Sequence, residues 1–254
     1  MRIPVIRGVI DRRVLANYRV EPDVLARLLP VPFRPKLIRG QAVAGICLIR
    51  LRNVRPRSLP AWLGISSENA AHRAAVEWDE GGAVREGVYI WRRDTGSRLN
   101  ALAGGRLFPG VHHHASFDVE EAGDTLRVAL RSDDGVTAVS VAGRVSDRLP
   151  ASSVFGSVAE ASAFFAAGSV GYSPAADPAR LNGLELRYRG WRVEPMEVAE
   201  VRSSFFDDRA RFPPSSVAFD CALVMRGIEH EWHGLPDLCC GAGQGAIAAT
   251  PTAS

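Results

Sequence analysis

The sequence is nearly empty of lysine. Lys36 is the single one in 254 residues, so 30 of the 31 basic residues are arginines. A guanidinium stays protonated and is no nucleophile, so amine chemistry would fall to Lys36 alone. The arginine bias, with abundant Ala, Gly and Val, is the composition a GC-rich genome produces. Cysteine is scarce too. Cys47, Cys221, Cys239 and Cys240 fit neither a disulfide framework nor C-x-x-C metal spacing. Cys47 and Cys221 lie in apolar runs and read as buried thiols, Cys47 as an inert one. No apolar run approaches the roughly 18 residues of a membrane span. MRIPVIRGVIDRR carries charge on both sides of a short apolar stretch and has no signal-cleavage pattern, so the expected location is cytoplasmic. Net charge is only +3, and acidic residues are interspersed among the arginines. With no basic block, nucleic acid is not an expected partner. No fixed-period repeat, no nucleophile elbow and no G-x-G-x-x-G occurs, and no cofactor is implied.

What remains is mostly strand. VAGICLIRL (43–51), AAVEWD (74–79), GVYIWRRD (87–94), HHASFDV (113–119), LRVALRS (126–132), AVSVAGRVS (138–146), GLELRYRGWRVEPMEVAEVRSS (183–204) and SVAFDCALVM (216–225) are rich in β-branched and aromatic residues. Glu80-Gly81-Gly82 and Asp133-Asp134-Gly135 read as turns, the latter as a hairpin. Glu21-Pro22-Asp23 opens a short helix that Pro30 and Pro32 stop. Ser157 and Glu160 form a capping-box pattern ahead of a second helix. A third short helix is expected over 98–103. No linker argues a boundary, so residues 1–240 read as one mostly-β domain with a few helices, a closed barrel or sandwich. Residues 241–254, GAGQGAIAATPTAS, read as a flexible tail.

NYRVEPDVLARLLPVPFRP (17–35), SSENAAHRAAVEW (66–78), RRDTGSRLNALAGGRLFPGVHHH (92–114) and IEHEWHG (228–234) resemble the YqjF-like family, a domain of unknown function. That family is similar, more distantly, to acetoacetate decarboxylase. The resemblance implies a closed acetoacetate-decarboxylase-like β-barrel with an internal pocket. It places Glu68, after Ser66-Ser67, at the decarboxylases' active-site glutamate. It makes Arg12 or Arg13 the candidate for their arginine. Phe108-Pro109 matches the aromatic-proline pair before their Schiff-base lysine, but Gly110 and Val111 follow here. The resemblance therefore implies the barrel and pocket and argues against the decarboxylase mechanism.

Three constellations could carry chemistry. Glu68 in an apolar pocket would serve as general acid or base, with Asn69 beside it and His72 four residues on; the bland alternative is a structural glutamate. His112-His113-His114 directly follows the lysine position. On a strand, His112 and His114 share a face and His113 takes the other. One of them, His113 foremost, is expected to polarise a ligand oxygen. An H-x-H pair could also ligate zinc with help from His230 or His233, yet H-x-x-H spacing fits no zincin pattern, and no metal is expected. Arg92, Arg93 and Arg98, with Asn100, could hold a carboxylate; the alternative is an Arg–Asp pair fixing a strand end. The expected function is a small-molecule pocket: a lyase, isomerase or dehydratase without a Schiff base, acting on a small carbonyl or carboxylate compound. A non-catalytic binding protein and an oligomeric interaction module are the competing readings, and a homo-oligomer stays open. HEWHG (230–234) reads as a strand end turning into a closing loop.

Overall fold

The computed structural model describes residues 4–105 and 108–239. The chain runs from β1 (Ile6–Val20) through α1 (Pro22–Ala26) and the short β2 (Arg34–Pro35) and β3 (Leu37–Ile38). Three long strands follow: β4 (Gln41–Pro56), β5 (Ile65–Glu80) and β6 (Ala83–Thr95). Next come α2 (Arg98–Ala103) and the meander β7 (His112–Ala122), β8 (Thr125–Ser132) and β9 (Ala138–Val145). Then come α3 (Val158–Ala167), β10 (Val170–Pro174), β11 (Arg180–Tyr188), β12 (Glu194–Ser203) and β13 (Val217–Cys239).

The pairings close the sheet on itself twice. One circuit runs β6-β7-β8-β9-β12-β13-β1-β4-β5 and back to β6. The other runs β6-β10-β11-β13-β1-β4-β5 and back to β6. The length of β13 permits this. Its first half pairs with β12 (Glu194↔Val224), and its second half pairs with β11 (Leu186↔Trp232). β6 likewise takes β10 at Val88–Tyr89 and β7 at Arg93–Thr95. Closure leaves no free edge along either circuit, which is how β proteins avoid edge-to-edge association.

The five shared strands are walls with a core on each side. Val14, Ala16, Ile46, Leu48 and Val224 pack into the first ring with Leu126, Val128 and Met196. Leu15, Cys47, Ala75, Leu223 and Met225 pack into the second ring with Phe155, Ala161 and Phe165. Two-sided burial explains why VAGICLI reads as one apolar run: Ala42 through Leu48 are all buried. α3 plugs one end of the second ring. It begins as expected, with the Ser157 hydroxyl accepting from the Glu160 N–H at 3.1 Å. The glycines of the β5–β6 turn, Gly81 and Gly82, both have positive φ.

Several readings need correction. β1 was not recognised as a strand at all. The segment 183–204 is two strands, broken around Gly190, whose φ is +71°. The strand expected over 74–79 begins earlier, at Ile65; Glu68 and His72 share a face, because positions four apart do so on a strand. HEWHG does not turn into a loop. It stays in β13 because β11 pairs beside it, His230 through Gly234 included. Lys36 joins β2 to β3 with its side chain 16% exposed and paired with Glu86. The proposed tail, 241–254, lies outside the described residues.

Candidate functional site

A cavity of about 430 Å³ occupies the end of the second ring away from α3. Ile49 and Leu51 of β4, Ala71 of β5, Leu184 of β11 and Trp232 of β13 make its walls largely apolar. Ala103 of α2 and the segment carrying Phe108 and His112 complete it. Phe108 contacts both Trp232 and His112 edge-on, with centroids 5.6 and 5.8 Å apart.

Its polar groups are few. Arg93 sits opposite Ala71 in the β5–β6 ladder. Its Nε is buried with no acceptor, and among the described residues it makes no ion pair. Burial pushes its guanidinium down to about 10. His112 Nδ1 lies 2.9 Å from the Gly110 carbonyl. A carbonyl only accepts, so Nδ1 carries the proton and Nε2 keeps its lone pair. Burial, and then the charge of Arg93, push His112 down to about 4, so it is neutral at pH 7. Asn69, Ser67 and Asn100 form a hydrogen-bonded group at the rim: Asn100 donates to the Ser67 hydroxyl at 3.1 Å, and Asn69 donates to it at 3.0 Å.

Gly110 fixes this arrangement. Its φ is +82°, and a Cβ there would meet Ser173 Oγ at 2.6 Å and Arg93 Nε at 2.9 Å. A side chain at 110 and the present Arg93 compete for one space.

The cavity brings together Arg93, His112 and Asn100 from the expected set. The other candidates go elsewhere. Glu68 points to the first-ring side of β5, opposite Asn69. Arg12, itself 1% exposed, donates to Glu68 at 2.5 Å, and Arg50 Nε donates to it at 2.6 Å. Glu121 joins this cluster through the same two arginines. The expected cavity glutamate thus lies in an ion-pair network outside the cavity, because strand alternation sends it and Asn69 to different rings. Arg12 is the arginine that meets Glu68; Arg13 faces the second ring. His72 is fully buried against Phe205, with ring centroids 5.0 Å apart, and neither of its nitrogens has a partner. Burial pushes it down to about 3. Arg92 is spent on Asp94, at 2.9 Å from Nε, and on Asp134, at 2.8 Å. The Arg–Asp alternative therefore describes it. Arg98 is exposed on the first turn of α2. His113 and His114 turn to the β8–β9 hairpin, toward Asp134 at 3.4 Å and Asp133 at 2.7 Å. His230 is buried against Trp232, and His233 contacts Glu231 at 3.0 Å. Among the described residues no group of three or more His, Cys, Asp or Glu side chains is placed to hold a metal ion. Neither Trp232 nor Gly110 was among the expected site residues. Trp232 is a cavity wall, and the positive φ of Gly110 was not readable from its neighbours.

The family profile described as "uncharacterized conserved protein", DUF2071, matches residues 10–226. The chain belongs to the DUF2071 family. A search of curated proteins finds no match. In solved structures, this DUF2071 protein is similar to acetoacetate decarboxylase from Legionella pneumophila. Identity is 12% and the TM-score 0.59, over 92% of this chain and 88% of that one. An acetoacetate decarboxylase-like enzyme from Sphingomonas wittichii RW1 aligns at 13% identity and TM-score 0.59, over 94% of each chain. The enduracididine biosynthesis enzyme MppR, complexed with pyruvate, aligns at 13% and 0.60, over 95% of this chain and 91% of that one. At these identities the likeness establishes the fold: this chain shares the closed, mostly-β architecture of those structures. Among the described residues no helix of this DUF2071 chain is long and apolar enough to cross a membrane.

Proposed function

We propose that the second-ring cavity binds a small organic acid or carbonyl compound with an apolar body, and that the protein acts on it without an amine adduct. Arg93 carries this reading. A part-buried cation whose Nε is enclosed and which has no carboxylate partner among the described residues is costly, and a ligand carboxylate accepting two of its N–H groups would offset that cost. The apolar walls suit a ligand body of drug-fragment size. His112 takes the acid–base role in place of Glu68 and His113. Its free Nε2 is a neutral acceptor beside Arg93, suited to removing a proton from the carbon next to a carbonyl held there. Isomerisation or dehydration would follow from that proton transfer. MppR, of similar fold, holds pyruvate in its structure, which supports the ligand class. The competing reading is binding without turnover. It is favoured by Asp94, the one carboxylate among the described lining residues, being occupied by Arg92. The two rings share five strands, which supports reading them as one domain. Exposed Trp62, at 80%, with Leu59 and Leu63 beside it, supports a self-association surface.

Calorimetric titration with benzoate and with pyruvate tests the binding step. Arg93→Met should weaken binding by roughly 10- to 100-fold, the loss expected for a hydrogen bond to a charged group. Equal affinity in the two proteins overturns the reading. Deuterium exchange at the pyruvate methyl, abolished by His112→Gln, separates an enzyme from a binding protein.

A further inference from the structure

At the α3 end of the second ring lies a separate void, sharing no lining residue with the large cavity. It measures about 10 Å³, room for one water-sized particle. Arg13, Arg73 and Lys36 line it, with Phe164 and Phe165 of α3. Lys36 is neutralised by Glu86. The two arginines are not neutralised. Among the described residues neither makes an ion pair with a carboxylate. Arg13 Nε donates to Cys47 Sγ at 3.1 Å, and Arg73 donates one bond, to the Asn17 side-chain oxygen at 2.9 Å. Arg73 is 3% exposed and its Nε has no acceptor. Its guanidinium lies over the Phe165 ring at 5.0 Å, a contact that offsets only part of the cost of burying a charge. Burial, and then Arg13, push Arg73 down to about 10, yet it stays a cation at pH 7. A buried and a half-buried cation around a water-sized void, with no carboxylate among its described lining residues, are an incomplete charge set.

We propose that this void is a binding site for a monoatomic anion, chloride in the cell, held between the Arg13 and Arg73 guanidiniums beneath α3. The size excludes carboxylates, phosphate and sulfate. The ion neutralises the pair, accepts the orphaned Arg73 Nε–H, and ties α3 to the strands. The site is independent of the ligand reading for the large cavity.

The test compares thermal midpoints in sodium gluconate, sulfate, chloride and bromide at equal ionic strength. Halide should raise the midpoint saturably, by roughly 5 °C at about a hundredfold excess over its dissociation constant. Gluconate and sulfate should not. Arg73→Met should abolish the response, and Arg189→Gln, at an exposed arginine, should keep it. A bromide-soaked crystal should show an anomalous peak between Arg13 and Arg73. Identical midpoints in halide and gluconate overturn the proposal. So does an undiminished halide response in Arg73→Met, or a bromide peak beside Arg93 alone. Should Arg73→Met not fold, the presence or absence of the peak between the two guanidiniums decides.

Discussion

Gly110→Ala adds one methyl group, and its effect can be worked from the structure. The backbone at 110 has φ +82°, where an L side chain costs about 1–2 kcal/mol. The new Cβ would lie 2.6 Å from Ser173 Oγ, 2.9 Å from Arg93 Nε and 3.3 Å from Arg93 Cδ. Relieving those overlaps in a packed wall costs about a further 1–3 kcal/mol. The expected total is about 2–5 kcal/mol, read by urea unfolding. For a chain of this size each kcal/mol lowers the midpoint by about 2–4 °C. Arg93 must swing to escape, so benzoate affinity should fall together with stability. Gly110→Ala/Ser173→Gly removes the tightest overlap and should recover part of the stability while leaving Arg93 displaced. A Gly110→Ala protein within 0.5 kcal/mol of the parent, about the scatter of neutral surface changes, and with unchanged affinity, would refute the placement of Arg93 against this backbone.

His72, His112 and His230 are all neutral in the fold, at about 3, 4 and 4, against an ordinary 6.5. The unfolded chain therefore takes up protons first as pH falls, so stability is full above 6.5 and declines from there toward the folded values. Each should contribute about 2 kcal/mol of loss between pH 6.5 and 5. His72→Phe, which keeps a ring against Phe205, should flatten that profile by about one histidine's share in urea titrations; an unchanged slope would count against a buried neutral His72. Borohydride reduction in the presence of 3-oxobutanoate should add no mass, since Gly110 and Val111 stand where the decarboxylases carry lysine; a stoichiometric adduct on Lys36 would refute this. Trp232→Ala should weaken benzoate binding and also cost about 3 kcal/mol, the low end for truncating a large aromatic, because Trp232 is partly exposed to the cavity. Loss of binding with an unchanged melting curve would make the segment a binding element the fold does not need.

The closed mostly-β class was legible because the outer strands alternate: Leu126, Val128 and Leu130 of β8 point inward and their neighbours outward. β1 was not legible. Its buried run from Val14 to Tyr18 serves two cores and shows no alternation. The candidate cavity was half legible. Arg93, His112 and Asn100, singled out by type and neighbourhood, line it. Glu68 was misplaced because the resemblance gave its position along the chain and not the ring its side chain enters. His113 and His114 were drawn away by the Asp133-Asp134 turn, a partner from a hairpin about 20 residues on that no local pattern announces.

Arg12 and Arg13 are neighbours in sequence and belong to different interiors. One is locked among carboxylates, and the other lines a void with no carboxylate among its described lining residues. A slip of β1 by a single residue would take Arg12 out of that cluster, leaving Arg50 to hold Glu68 and Glu121, and would drive a further misfit through every position of the wall. One-residue insertions or deletions in β1, β4 or β5 should therefore be far less tolerated than in the β7–β8–β9 meander. The amides of those walls should also be the last in the molecule to exchange with deuterium, since opening them means breaching two compartments at once.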